Sequence, residues 1–258
     1  MQAVGGIIAT LLLAGECAAQ DLTVIPTGSP VAAVVPDSVP MRVALTTREP
    51  RKLAELLGTQ APAADSNIVE YVIGAYATPK NARAEGWTSP TFVIDFNEPS
   101  VVAAGEKFRK SLGNVPRPDT TTADALVKFV SVTVKPSYER DFAIASEVAA
   151  RPVGDCKAFA VLLVALARSV GIPARVAMGV AIVRTGAVYH AVGHAWGELQ
   201  IDGNWVVADA TLANEPVPVR HVPLSILQNE GMGYMRDAIG ISKVWVQRVD
   251  VLGPEISR

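Results

Sequence analysis

The chain has 258 residues, half of them hydrophobic, which is enough for one large domain or two small ones with a sizeable core. Its 23 Lys and Arg residues nearly balance its 25 Asp and Glu residues, for a formal net charge of -2. The sequence contains no basic run and no basic-aromatic stripe that could follow a phosphate backbone, so nucleic acid is not an expected partner.

Residues 1–19 predict a secretory signal. An uncharged apolar stretch over 3–15 is followed by small residues, which fits cleavage after Ala19, although no Lys or Arg precedes the stretch. The stretch is shorter than the roughly 20 apolar residues that a membrane-spanning helix needs. A lipoprotein is also disfavoured, because Glu16 stands before Cys17 where a small residue is expected. We therefore expect export to the periplasm or the extracellular space, without a stable membrane span.

Removal of this signal would leave Cys156 as the single cysteine of the mature chain. No internal disulfide could then form. A lone thiol in an oxidising compartment is a hazard unless it is buried or used. Cys156 is therefore the first candidate functional residue.

An N-terminal region is predicted over 20–115, and no chemistry is evident in it. Its start is rich in Pro, Val and Ala, which indicates a linker or an edge segment. The predicted elements that follow are a strand over 41–47, a helix over 49–57, an apolar run over 68–76, a strand over 91–96 and a helix from Asn97 to about Leu112.

A second folding unit is predicted over 116–258. A helix starts at Asp119, and a second helix, apolar nearly all round, starts at Cys156 and ends at Gly171. Strands are predicted over 174–184, 189–201 and 204–209, then a surface excursion over 214–233 and a closing strand over 244–251. Helices followed by an antiparallel sheet predict an α+β fold.

The position of Cys156 suggests an activated thiol. Asp155 is a good N-cap, so the thiol is expected near the first turn of the buried helix. Unpaired N–H groups and the positive end of the helix dipole stabilise a thiolate there. The alternative is that Cys156 is a small buried hydrophobic residue, which is how most free cysteines behave.

The predicted hairpin at Asp202-Gly203 brings two further side chains together. If Ile201 pairs with Asn204, Asp209 becomes a diagonal neighbour of His194 on one face of the sheet. The Cβ atoms of the two residues would then lie within about 7–8 Å of each other. A carboxylate there can fix the imidazole, whose other nitrogen takes the thiol proton. A three-residue loop would instead put the two side chains on opposite faces.

The stretches GDCKAFAVLLVALARSVGIPARVAMGV and GHAWGELQIDGNWVVADAT resemble the core of the transglutaminase-like superfamily. The family pattern is a Gly-x-Cys helix ending in Gly-Ile-Pro-Ala-Arg, a His-Ala-Trp strand, and a strand ending in Asp-Pro-Thr. The resemblance covers about Thr122 to Thr211. It implies a papain-like, transglutaminase-like core in which a buried helix carrying the cysteine packs on an antiparallel sheet carrying the histidine and the aspartate.

The resemblance makes Cys156 the nucleophile, His194 the general base and acid, and Asp209 the orienting carboxylate. Two positions depart from the family pattern: Ala210 replaces a proline, and Val180 replaces an aromatic residue. Both lie outside the triad, so they bear on the shape of the substrate more than on competence for catalysis.

The implied activity is cysteine-dependent acyl transfer on peptide or glutamine-type carboxamides through a thioester. Hydrolysis is favoured over amide cross-linking, because compact members of the family resemble peptidases. The expected partner is a protein or peptide substrate. The alternatives are transglutaminase-type cross-linking and a non-catalytic binding or assembly module that keeps the fold.

Other candidates carry less weight. Trp196 and Trp205 are predicted to bind substrate by walling the acyl groove, and the backbone N–H of Cys156 is the expected oxyanion donor. Arg175 is expected to pair with an acid near the end of the helix.

No cofactor and no metal is expected. The alternative chemistry is a metal ion held by His190, His194 and Cys156. His221 is assigned no role. No spacing of acidic residues fits a calcium loop.

Overall fold

The computed structural model describes residues 24–28, 34–74, 87–113, 115–137, 144–226, 230–231 and 246–255. The predicted signal at residues 1–19 lies outside these ranges. Within them, no helix is both long enough and apolar enough to span a lipid bilayer.

The described residues form an α+β fold, as predicted. The helices are α1 (Pro50–Leu57), α2 (Pro99–Leu112), α3 (Thr120–Thr133), α4 (Ala145–Ala150) and α5 (Cys156–Ser169). The strands are β1 (Val24–Ile25), β2 (Met41–Thr47), β3 (Ile68–Ile73), β4 (Lys135–Pro136), β5 (Val153–Gly154), β6 (Ala174–Thr185), β7 (Val188–Ile201), β8 (Asn204–Ala208), β9 (Arg220–Ile226) and β10 (Val246–Pro254).

Helix α5 is the centre of the main core. Every residue from Ala158 to Arg168 is buried, because the helix is covered by α2, α3 and α4 and by the sheet. A helix that is apolar nearly all round needs such complete cover. Its C-terminal turn ends at Gly171, whose φ of 82° lies in the left-handed region that glycine adopts readily.

A five-stranded antiparallel sheet packs against α5. Its order is β1-β7-β6-β9, and β8 pairs with β7 on the same edge as β1. Asp202 and Gly203 both have positive φ values, 50° and 78°, as a two-residue turn of type I′ requires. Ile201 pairs with Asn204, so the predicted register of this hairpin is confirmed.

A second sheet, of order β10-β2-β3, packs on another part of the central sheet. One face of β6 carries both cores: Ala174 and Val176 pack against the helices, whereas Val180 and Ile182 pack against the second sheet and α1. The second core and the β10–β2 pairing thus cross the predicted division between 20–115 and 116–258.

Two predicted elements are wrong. Residues 91–96 form bends instead of a strand, because the hydroxyl of Thr91 accepts the N–H of Ile94 and closes a tight turn. The predicted surface excursion over 214–233 contains β9, a full strand that pairs with β6. Pro223 hides this strand in the sequence. Proline is tolerated here because β9 is an edge strand and its pairing shifts register at this point.

A short parallel pairing fixes the chain just before α5. Lys135 pairs with Val153 and Pro136 with Gly154, immediately after α3 ends. A Cβ atom at Gly154 would lie 2.5 Å from the Cβ of Ala158, so only glycine allows this segment to approach the first turn of α5. The start of α5 is therefore held from outside the helix as well as by its own cap.

Candidate active site

Cys156 is the first residue of α5 and is half-buried. The Asp155 side chain caps the helix by accepting the N–H of Lys157 at 3.0 Å, and the Asp155 carbonyl accepts the N–H of Ala158 at 3.0 Å. Neither bond uses the N–H of Cys156. The thiol thus lies at the positive end of a long helix, where anions are stabilised.

The structure brings His194 and Asp209 together. Nε2 of His194 lies 2.9 Å from Oδ2 of Asp209. The hairpin explains the contact: Gly197 pairs with Ala208 at the end of β8, and Asp209 follows on the chain. His194 lies on the stretch of β7 between the residues that pair with β1 and those that pair with β8.

The Asp209 carboxylate is held by four N–H groups. Oδ1 accepts the backbone N–H groups of Thr211 at 3.0 Å and Leu212 at 3.2 Å, while Oδ2 is shared by His194 and His221 at 2.9 Å each. Burial by itself would raise the pKa of Asp209, but the two rings outweigh burial and hold that pKa well below its usual range. Asp209 is therefore ionised throughout the neutral range.

His194 is poised to carry a positive charge. Burial of the ring opposes the charged form, but the Asp209 carboxylate and the Cys156 side chain together outweigh burial and raise the pKa of His194 to about 10. A hydrogen bond between the Cys156 side chain and the ring contributes to this rise. Because Nε2 is occupied by Asp209, Nδ1 is the nitrogen left for the thiol.

His221 joins the cluster although the sequence suggested no role for it. It is 6% exposed and lies on β9, opposite Ala181 of β6. The sequence signal that could have found it was the alternation of residues around Pro223, which the proline obscured. Its contact with Asp209 makes a row of three polar side chains across the sheet.

The two tryptophans predicted to wall a groove are buried. Trp196 is 1% exposed, stacks beside His194 at a centroid distance of 6.2 Å and lies 4.8 Å from the ring of His221. Trp205 is 6% exposed and covers the guanidinium of Arg175, with 3.9 Å between Cζ and the ring centroid. Both side chains face the interior in this structure.

Arg175 does not pair with an acid near the end of the helix. Its partner is Glu198, which lies directly opposite on β7, with 2.7 Å between the guanidinium and the carboxylate. Both side chains are fully buried. The arginine near the end of α5 that binds an acid is Arg168, which holds Glu230.

Among the described residues, one group of side chains could hold a metal ion: His194, Asp209 and His221, whose ligand atoms lie within 4.8 Å of one another. This set differs from the predicted alternative, because Asp209 and His221 replace Cys156 and His190. The two N···O separations of 2.9 Å are hydrogen-bond lengths, so these three groups also satisfy one another without an ion.

A cavity of about 350 Å³ opens beside Asp209 and His221. The rest of its lining comes from the segment that joins β8 to β9: Leu212, Ala213, Glu215, Pro216, Val217, Pro218 and Val219. The cavity therefore borders the end of the cluster that Asp209 and His221 form.

Comparison with known protein families gives a match over part of this chain. Residues 108–210 match the model of the transglutaminase-like superfamily, and this range contains Cys156, His194 and Asp209. No curated protein matches the sequence significantly.

Two solved structures match parts of this chain. A proposed cysteine protease from Cytophaga hutchinsonii is 18% identical with a TM-score of 0.46, and the match covers 72% of this chain and 59% of that one. The periplasmic domain of TgpA from Pseudomonas aeruginosa is 22% identical with a TM-score of 0.34, and the match covers 46% of this chain and 44% of that one. This chain thus spans about half the length of each.

Two features are consistent with the match over residues 108–210. One is the α+β core around α5, and the other is the order of Cys156, His194 and Asp209 along the chain. Residues 108–210 of this chain are therefore similar to the core of the transglutaminase-like superfamily.

Proposed function

We propose that this protein is an enzyme that transfers acyl groups through a thioester on Cys156. His194 acts as general base and acid, and Asp209 orients the imidazole. The observation that supports the proposal most directly is the contact of His194 with Asp209 at 2.9 Å. Cys156 lies at the start of a buried helix, and its side chain helps to raise the pKa of the His194 ring.

The first half-reaction begins from the Cys156 thiolate and the His194 imidazolium. The sulfur attacks the carbonyl carbon of a carboxamide, forming a C–S bond and an oxyanion. The backbone N–H of Cys156 is the first candidate donor to that oxyanion. Nδ1 of His194 then gives its proton to the amide nitrogen, the C–N bond breaks, and the amine or ammonia leaves. The product is a thioester on Cys156.

The second half-reaction removes the acyl group. The neutral His194 takes a proton from water, whose oxygen attacks the thioester carbon. The C–S bond then breaks, a carboxylic acid is released, and the thiolate and imidazolium are restored. An amine in place of water would give a new amide by the same route. Asp209 stays ionised through both halves, because its pKa is held far below neutral.

The proposed substrates are peptides or glutamine-type carboxamides of proteins, with water as the acceptor. Export is part of the proposal and rests on the apolar pattern of residues 1–19. In an exported enzyme, Cys156 would be the single thiol, so no second cysteine could trap it in an internal disulfide.

The direct test is mass spectrometry of the protein incubated with peptide libraries and an amine donor. We expect cleaved or deamidated peptides, a mass gain of oxygen-18 in the new carboxyl group in labelled water, and no turnover by Cys156→Ala. Amine incorporation in place of hydrolysis would assign cross-linking. Turnover by Cys156→Ala equal to that of the wild type would refute thioester chemistry.

A further inference from the structure

A second imidazole binds the same carboxylate oxygen as His194. Nε2 of His221 lies 2.9 Å from Oδ2 of Asp209, the distance also found for Nε2 of His194. The centroids of the two rings are 6.2 Å apart, with an angle of 38° between the ring planes. The chemistry described so far does not use this second ring.

The sheet is built to bring His221 to this position. Gly179 of β6 pairs with His194 on one side and with Pro223 on the other. A Cβ atom at Gly179 would lie 2.1 Å from the carbonyl oxygen of Val222 and 3.1 Å from Cη2 of Trp196. The absence of a side chain therefore lets β9 approach closely and lets the indole of Trp196 lie across β6.

Trp196 also fixes the orientation of the ring. Its indole lies 4.8 Å from the His221 ring at an angle of 58° and 6.2 Å from the His194 ring at 20°. Since the side chains of His194 and His221 are 2% and 6% exposed, neither ring is free to rotate into solvent. His221 is thus packed in place, with one nitrogen directed at Asp209.

We propose that His221 is a positioning residue for the acyl-transfer reaction, which rests on the function proposed above. It donates Nε2–H to Oδ2 of Asp209. This hydrogen bond fixes the plane of the carboxylate, which in turn orients the His194 ring. Backbone N–H groups hold only the other oxygen, Oδ1. Without His221, the position of Oδ2 would depend on His194 alone, and the terminal torsion of an aspartate is broad.

This role persists through the catalytic cycle. His194 alternates between an imidazolium and a neutral ring, and its attraction to Asp209 weakens each time it gives up its proton. His221 does not exchange a proton with substrate, so its hydrogen bond holds Asp209 still while His194 changes charge. The orientation of Nδ1 towards Cys156 is thereby kept for the second half-reaction.

The first test needs no substitution. The chain has three histidines, so nitrogen-15 labelling of histidine gives a spectrum simple enough to assign. We expect His221 to carry a proton on Nε2, with a coupling or a nuclear Overhauser contact that links it to the Asp209 cluster. An Nε2 without a proton would overturn the proposal, because it could not donate to a carboxylate.

The second test compares His221→Gln with His221→Leu. A glutamine amide can place an N–H near the position of Nε2, whereas leucine fills similar space without a donor. We expect His221→Leu to lower kcat up to about 100-fold with KM within about twofold, and His221→Gln to recover most of the loss. His190→Gln is the matched control, since His190 lies on the same strand as His194 and takes no part in this cluster.

Three outcomes would overturn the proposal: full kcat in His221→Leu, equal losses in both His221 variants when both are folded, or stoichiometric metal whose removal abolishes turnover in the wild type. The rate at which iodoacetamide labels Cys156 is measured beside kcat, because it needs no substrate. If the wild type shows no turnover, the proposed function fails. A slower labelling of Cys156 in His221→Leu than in the wild type would still support a positioning role for His221.

Discussion

The charge on His194 depends on two neighbours, and this dependence makes the pH range of the site predictable. The pKa of His194 is raised from 6.5 to about 10, so the stability that its charge contributes is present in full below pH 6.5 and is lost as pH rises towards 10. The pKa of Asp209 is lowered from 3.8, so its contribution is present above pH 3.8 and is lost as pH falls below that value.

We therefore expect the pair to stabilise the fold most between about pH 4 and 6.5. The free energy of unfolding of the wild type should exceed that of Asp209→Asn by the largest margin in this window, and the margin should shrink steadily from pH 7 to 10. Chemical denaturation of both proteins at a series of pH values measures this difference in the free energy of unfolding. A margin that does not change with pH would mean that His194 and Asp209 are not an ion pair.

Single residues differ in how far the sequence reveals them. The position of Cys156 at a helix start was predictable, because a cap residue and an apolar run mark that start. Asp209 was predictable because the positive-φ turn at Asp202-Gly203 fixes the register that brings it to His194. His221 was not predictable, because its strand contains a proline and pairs with β6 from a distance of about forty residues in sequence.

At the scale of elements, the N-terminus of α5 couples stability to reactivity. Asp155 caps α5 and Asp119 caps α3, each through a side-chain oxygen that accepts a backbone N–H, at 3.0 Å and 2.8 Å. Asp155 also forms an ion pair with Lys157, next to the thiol in sequence. The two caps therefore form a natural comparison between a helix that carries the candidate nucleophile and one that does not.

We expect Asp155→Ala and Asp119→Ala each to lower the free energy of unfolding by about 1 kcal/mol. Only Asp155→Ala should also slow the labelling of Cys156 by iodoacetamide, because only that cap orders the N–H groups around the sulfur. Denaturant titration and labelling kinetics on the same samples separate the two effects. Equal labelling rates in both variants would show that the helix start does not activate the thiol.

The strands show where the sequence pattern predicts secondary structure correctly and where it does not. The hairpin of β7 and β8 is local and has a two-residue turn, so its register follows from the sequence. Apart from Asp95, the residues at 91–96 are β-branched or aromatic. They bend because the Thr91 hydroxyl accepts the N–H of Ile94 and because the Val93 backbone bonds Glu230 and Ala145, which are distant in sequence. Such contacts override local propensity, and one sequence does not reveal them.

At the scale of the whole molecule, a buried ion pair ties a distant segment to α5. Arg168 near the end of α5 forms a bidentate bond to Glu230 at 2.7 Å and 2.8 Å and also donates to the carbonyl oxygens of Ser89 and Ala174. The side chains of the pair are 0% and 4% exposed. Arg168 thus joins the segment before α2, the start of β6 and the segment after β9.

Loss of one partner should be costly because it leaves the other charge buried and unpaired. We expect Arg168→Met to lower the free energy of unfolding by about 3–5 kcal/mol. The matched control is Arg42→Met, whose exposed pair with Glu70 should contribute less than about 1 kcal/mol. Denaturant titration compares the two. Similar losses in both variants would contradict a structural role for the Arg168 pair.

We propose that His194 activates Cys156 as a nucleophile. The most direct measurement is the rate at which iodoacetamide labels Cys156 as a function of pH, in the wild type and in His194→Ala. We predict that the wild type reacts faster than a free thiol at pH 6 to 7 and that His194→Ala falls to the rate of the free thiol. Identical rates for the wild type, His194→Ala and the free thiol would mean that His194 does not activate Cys156.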